Sequence, residues 1–354
     1  MSVIVKKKEK NCMAKVKITE ITEKVKNIFL KEGASPEVAE TVTGVLLDTE
    51  MKGVVTHGFL RVPLYVKCLR SGGVLPTGDI EIVSDAPTMA VVSGKGGLGI
   101  AIAKNAAELA IKKAEETGVG IVFVRGSHHL GAVGYYANMC AERGFIGMAM
   151  SNGNRMVAAT GGRAPAIGNN PFAYAVPAGK YGTILYDVAM SVGSDIKVYA
   201  MRKEGRLAPD GWFVDNMGRP SNDPEDYFHG GVLLPFGGHK GYGLAIMVEM
   251  LAGAVSGAAM PSTVKAWNVE PKEEGGNTGH FIMAIDPARI TDRDAYIARV
   301  EAIIEELAAS PLAEGATKIY YPGEIEKGRR EACLATGEVE VADDTLLAID
   351  NLLK

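Results

Sequence analysis

Apolar residues recur at helical spacing over residues 18–31, where Ile18, Ile21, Val25, Ile28 and Phe29 form one stripe, which predicts an amphipathic helix. Ser35-Pro36-Glu37 predicts the start of a second: a hydroxyl cap, a proline at the first helical position and an early acid precede Val38, Val42, Val45 and Leu46. A third helical stretch is read from Thr56 to Ser71, kinked by Pro63 and stopped by Gly72-Gly73. From Thr88 the pattern changes to short β-rich runs alternating with helices. Strands are predicted at residues 89–92, 119–124 and 145–150, separated by helices at 100–116 and 132–143. Further strands at 171–177, 183–189 and 280–286 precede helices at 292–307 and 345–353.

Such alternation argues for an α/β sheet body. Because both ends of the chain are helical, the C-terminal helices are expected to pack back near the N-terminal ones. The 354 residues are 47% hydrophobic and 23% charged, and 38 basic residues against 42 acidic leave a net charge of -4. That balance argues against disorder and against a nucleic-acid binder, which needs a basic excess. Cys12, Cys68, Cys140 and Cys333 are scattered without C-x-x-C spacing, which suits a reducing cytoplasm. The N-terminal charges follow a very short apolar stub, the reverse of a secretory signal. Residues 241–260 mimic a membrane span but carry Glu249 in the middle, so a buried helix and no membrane contact are expected.

Several segments carry candidate chemistry. Gly94-Lys95-Gly96-Gly97-Leu98-Gly99 follows a strand and opens a helix, as a dinucleotide fingerprint does, but the acidic residue expected after the next strand is absent. His57, Arg61 and Tyr65 recur every four residues and would share a helical face. Arg61 offers a planar fork for a carboxylate, His57 a proton near neutral pH, and Tyr65 a further hydrogen bond. A plain solvated helix surface is the rival reading. His128-His129 lies just past a strand, where α/β sheets place functional loops; no H-E-x-x-H or nearby ligand spacing supports zinc, so proton transfer is preferred. Asp187 puts a carboxylate at a strand end. Residues 237–243, with His239 and Lys240 among glycines, form either a phosphate-binding turn or a simple helix entry.

These motifs, in this order, resemble the NAD(P)-dependent malate/L-lactate dehydrogenase family, which also holds L-sulfolactate, ureidoglycolate and diketogulonate enzymes and cyclic-imine carboxylate reductases. The match is carried by Thr56-His57-Gly58 with Arg61, Pro63 and Tyr65, by Ser127-His128-His129-Leu130-Gly131, and by Gly168-Asn169-Asn170-Pro171. Asp187-Val188-Ala189, Gly211-Trp212 with Asp215, Asp223-Pro224, residues 238–243 and Tyr321-Pro322-Gly323-Glu324 continue it. The resemblance implies a non-Rossmann fold of class α/β (α+β). Its mixed-sheet cofactor-binding domain would be residues 86–309, and its helical, substrate-contributing domain residues 18–85 joined by 310–354, after a flexible tail of residues 1–17.

Carried over by position, His57 and His129 are the catalytic candidates, and Arg61, Tyr65 and Thr56 bind substrate. Asp187, Val188, Ala189, Met190, Ser191, His239, Lys240, Pro322, Gly323 and Glu324 contact NAD or NADP, and no metal is involved. The implied reaction is hydride transfer at C2 of a small 2-hydroxy/2-oxo carboxylic acid in a cytoplasmic homodimer. The alternatives are cyclic-imine carboxylate reduction and non-catalytic nucleotide binding. Two departures bear on substrate preference: Thr56 stands where the family has Ser, and residues 190–197 lack its Ala-x-Gly-Lys pattern.

Overall fold

The computed structural model describes residues 13–266 and 277–354. The chain enters through β1 (Met13–Lys17), α1 (Ile18–Lys31), α2 (Pro36–Met51) and α3 (Val62–Arg70). The sheet region follows with β2 (Glu81–Asp85), β3 (Met89–Ser93), α4 (Gly99–Thr117), β4 (Val119–Ser127), α5 (Gly134–Glu142) and β5 (Ile146–Ser151). Next come β6 (Val157–Ala158), β7 (Pro165–Ile167), β8 (Phe172–Pro177), β9 (Thr183–Val188), α6 (Asp195–Glu204), β10 (Phe213–Val214), β11 (Pro220–Ser221), α7 (Pro224–Phe228) and β12 (Val232–Leu233). The chain closes with α8 (His239–Val248), β13 (Thr278–Ile285), α9 (Arg293–Ala308), α10 (Glu324–Thr336), β14 (Glu338–Ala342) and α11 (Asp343–Leu353).

The patterned helices form where expected. In α1 the apolar stripe buries Ile21, Val25, Ile28 and Phe29, and Ser35 accepts the Val38 N–H at 3.3 Å to start α2. The main sheet has seven strands in the order β2-β3-β4-β13-β5-β8-β9. Only its β3–β4 pair is parallel; every other neighbour is antiparallel, so the sheet is mixed and not doubly wound. Its core joins Val92, Val122, Val124 and Ile282 to Ile102, Ala106 and Tyr136 of the covering helices. A second sheet runs β11-β10-β12-β6-β7. At the other end, α11 packs on α1 and α3, and α10 on α2, so the two chain ends do meet.

Three expectations are corrected. Residues 13–17 are not tail: β1 pairs antiparallel with β14, Val16 opposite Val339, and the sheet formed covers the helical core. Residues 1–12 lie outside the described residues. The expected boundary at residue 85 cuts a hairpin, because β2 pairs with β3 and belongs to the main sheet; all of β2 is exposed, so no buried alternation marks it. The helix read from Thr56 to Ser71 is two 3₁₀ turns, Val55–His57 and Phe59–Arg61, followed by α3. Pro63 falls in the first turn of α3, where a missing N–H costs nothing, and so causes no kink.

Candidate active site

The break in that helix is local chemistry. The Phe59 N–H, which a continuous helix would give to a carbonyl, goes to the buried Glu50 carboxylate at 2.8 Å. Gly58 is required there, since a Cβ would come within 1.9 Å of Glu50 Oε2. Phe59, Val62, Tyr65 and Val66 are buried in the helical core and anchor the segment. Arg61 Nε then donates to the Thr56 carbonyl at 2.6 Å, and Thr56 Oγ1 lies 3.0 Å from His57 Nδ1. Thr56, His57 and Arg61 are thereby folded into one small knot rather than spread along a helical face.

Across from it stands the loop after β4. His129 stacks on His57, ring centroids 5.6 Å apart and planes within 15°. Tyr65 reaches under this pair: its hydroxyl is 2.7 Å from His129 Nδ1, which also accepts the Gly131 N–H at 3.3 Å. Tyr65, expected to hold substrate, is 1% exposed and lines neither cleft, and its hydroxyl faces His129 instead. Burial, and then the Arg61 charge, lower the pKa of His57 to about 4. Burial first, with Arg61 next, drives His129 well below its ordinary value. Both rings are neutral at pH 7.

Two clefts meet at this point. The first is lined by Thr56, His57, Arg61, His129, Asn152, Ser191, Asp195 and Lys265 among others. The second is lined by Lys52, Thr56, His57, Tyr135, Asp187, Ala189, Pro322 and Gly323 among others. They share Thr56, His57, Gly131, Asn169, Pro171 and Ala189. The segment from β9 onward explains which expected residues face them. Asp187, Ala189 and Ser191 line a cleft, whereas the alternating Val188 and Met190 turn into an apolar cluster with Val157 and Ala245. Val188 and Met190 therefore offer no side chain to a ligand.

Asp187 accepts the first N–H of α5, from Gly134, at 2.8 Å. Gly323 has φ +87°, and a Cβ there would come within 2.9 Å of the Leu185 carbonyl, which lets the Pro322–Gly323 turn lie against β9. Glu324 starts α10 and pairs with Lys318 instead of lining either cleft. His239 and Lys240 are exposed at the start of α8 and line neither cleft. The glycine fingerprint is a packing loop: the Gly96 N–H donates to Gly126 and the Leu98 N–H to Thr77. Among the described residues no group of three His, Cys, Asp or Glu side chains could hold a metal ion.

Sequence reasoning did not single out the buried polar cluster that Asn152, which lines the first cleft, forms behind it. Asn152 and Asn170 both donate to Glu249, at 3.1 and 2.9 Å, in a π-helical turn continuing α8. Glu249 is 3% exposed. Its position in an apolar run was the available signal, but the helix expected to be buried there is half-exposed: Glu249, Ala245 and Val248 face inward while Leu244, Met247 and Met250 face out. No helix among the described residues is long and apolar enough to cross a membrane.

The family model for malate/L-lactate dehydrogenase matches residues 16–350. The chain belongs to the malate/L-lactate dehydrogenase family. The chain is 38% identical over 302 residues to the L-sulfolactate dehydrogenase of Methanothermobacter thermautotrophicus, covering 85% of this chain and 86% of that one. It is 37% identical over 304 residues to the malate dehydrogenase of Pyrococcus horikoshii, covering 84% and 83%. The sulfolactate dehydrogenase structure from Methanocaldococcus jannaschii matches this fold with a TM-score of 0.89 at 32% identity, over 96% of each chain.

Proposed function

We propose that the protein is an NAD- or NADP-dependent oxidoreductase that interconverts a small 2-hydroxy acid and its 2-oxo acid. Acid/base help comes from an imidazole and no metal is needed. The observation that supports this most is the meeting of two clefts at Thr56 and His57, the first containing the Arg61 guanidinium and both histidines, the second sharing His57. The first cleft suits a small carboxylate beside Arg61. The second suits a dinucleotide: Asp187 presents an acceptor for sugar hydroxyls, and the Cβ-free turn at Gly323 keeps the wall close to β9. When bound there, the nicotinamide supplies or takes the hydride at the acid's C2. The sulfolactate and malate dehydrogenases among its relatives support the substrate class.

The chain's own part is to orient the acid and move a proton on its oxygen. Arg61 is a bidentate clamp that fixes the reacting carbon. His129 exchanges the proton: when its ring is charged, Nδ1–H donates to the Tyr65 hydroxyl, which turns from donor to acceptor, and the longer bond from the Gly131 N–H is given up. His57 stacks against it and closes the junction. Arg61 lowers the proton affinity of both rings. A substrate carboxylate that neutralises Arg61 removes the smaller of the two causes, so the proton affinity of both rings rises when the 2-oxo acid binds.

Leu244, Met247 and Met250, exposed at three-residue intervals along α8 and its continuation, support a homodimer. A cytoplasmic location, with its soluble nicotinamide pool, belongs to the same reading. The test is a panel of pyruvate, oxaloacetate, sulfopyruvate and piperideine-2-carboxylate with NADH and with NADPH. Oxidation of either cofactor by a 2-oxo acid, retained in a chelator, is the expected result. Turnover of the cyclic imine alone would move the assignment to an imine reductase, and no turnover with any of them would leave a nucleotide-binding protein. Arg61→Ala is expected to raise KM for the acid more than tenfold.

A further inference from the structure

His280 is 0% exposed, on the central strand β13, and makes no contact with either cleft. Its ring bridges the two neighbouring strands: Nε2 lies 2.7 Å from Ser127 Oγ at the end of β4, and Nδ1 lies 2.9 Å from Ser151 Oγ at the end of β5. The bridge sits at a register irregularity, where Ser127 pairs with Thr278 while Val124 pairs with His280. Irregularities of this kind re-aim side chains. Burial lowers the ring's pKa to about 3, so it is neutral, with one N–H and one lone pair.

Each hydroxyl also faces a backbone carbonyl of the loop that follows it, Ser151 Oγ that of Asn152 at 3.0 Å and Ser127 Oγ that of His128 at 3.4 Å, so the ring ties both serines to their loops. Ser127 precedes His129 by two residues, and Asn152 lines the first cleft. Both ring nitrogens are satisfied, each at the point where a strand hands over to a cleft loop.

We propose that His280 is a positioning residue, which acts through Ser127 to set the placement of the His129 imidazole against the first cleft. The proposal rests on His129 being the proton-exchanging group. His280→Phe and Ser127→Ala are expected to lower kcat by roughly ten- to a hundredfold, as ångström-scale misplacement does. KM values for the 2-oxo acid and the reduced cofactor are expected to stay within about threefold, since neither residue reaches a ligand. Ser127→Thr, which keeps the hydroxyl, is expected to restore most of the rate.

The deciding measurement repeats Ser127→Ala in a His129→Asn enzyme, where the residual rate should change by less than about twofold because the group being positioned is gone. Ser127→Ala is the smaller change and carries the test if His280→Phe does not fold. A normal kcat for Ser127→Ala, or an equal loss in both backgrounds, overturns the proposal. If His129→Asn itself turns over normally, the functional reading falls, and the proposal with it. If His129→Asn is impaired and Ser127→Ala is not, the proposal falls alone.

Discussion

The two walls of the junction are built by opposite means. On one side His57 and Arg61 ride on consecutive 3₁₀ turns, held by short-range bonds from Glu50 to Phe59 and from Arg61 to Thr56. On the other, His129 leaves the end of β4, inside a seven-stranded sheet, with Tyr65 locking its Nδ1 and His280 bridging beneath. Local turns adjust when a ligand arrives, whereas a packed sheet does not. Under the proposed function, the adjustable wall suits substrate binding and the rigid one suits proton transfer, which needs a fixed distance.

The sharpest way to break this comparison is to remove each ring in turn. His129→Asn is expected to lower kcat ~100-fold or more, and His57→Asn no more than ~10-fold with a larger rise in KM. Steady-state kinetics with the preferred acid decides it; the reverse order would exchange the roles. Next in size is Gly58→Ala. The new Cβ must push Glu50 off the Phe59 N–H, so a loss of about 2 kcal/mol in stability and a KM for the acid raised ~10-fold are expected, read by denaturant unfolding and kinetics. The same change at the rigid wall would have cost kcat instead.

Tyr65→Phe removes one hydroxyl behind His129. It is expected to cost about 1 kcal/mol in stability and to lower kcat ~5-fold, with KM unmoved. A smaller effect is expected from pH. The base for 2-hydroxy acid oxidation is a neutral ring, and burial with Arg61 pushes the ring pKa values down, to about 4 for His57. Oxidation kcat/KM should therefore be level from pH 8 to about 6, with no acid limb at the ordinary histidine value. An acid limb near the ordinary histidine value would mean that the junction is open to water.

The sign for stability is the same. His57 and His128, both lowered to about 4 by burial, and His280, lowered to about 3, bind protons more weakly folded than unfolded. Their stabilising contribution is complete above the unfolded value near 6.5 and is lost as pH falls toward 4. Smallest of all is Thr56→Ser, which keeps the hydroxyl beside His57 Nδ1 and should change kcat/KM less than about twofold.

Long periodic elements were legible because their burial is one-sided: α1 is bounded as its apolar stripe predicts, and α4 and α9 differ by a residue or two. The two-residue strands of the smaller sheet carry too little pattern to read, and β2 is exposed throughout. The polar helix α10 buries no residue and gives no stripe. At the site, Thr56, His57, Arg61, His129, Asp187 and Ala189 were named from motif and all line a cleft. Asn152, Glu249 and His280 were not named as site residues, because a buried polar residue looks the same in sequence whether its partners are near or absent.

Near-neighbour spacing set the long periodic helices and the buried strands, and side-chain chemistry set which residue types can handle a carboxylate and a proton. Only the tertiary structure decided that Tyr65 serves His129 and that Val188 and Met190 turn inward. It also decided that a histidine 151 residues further along the chain than His129 braces the strand that carries it. Those are contacts between distant parts of the chain, fixed by strand order and burial, which no local pattern encodes.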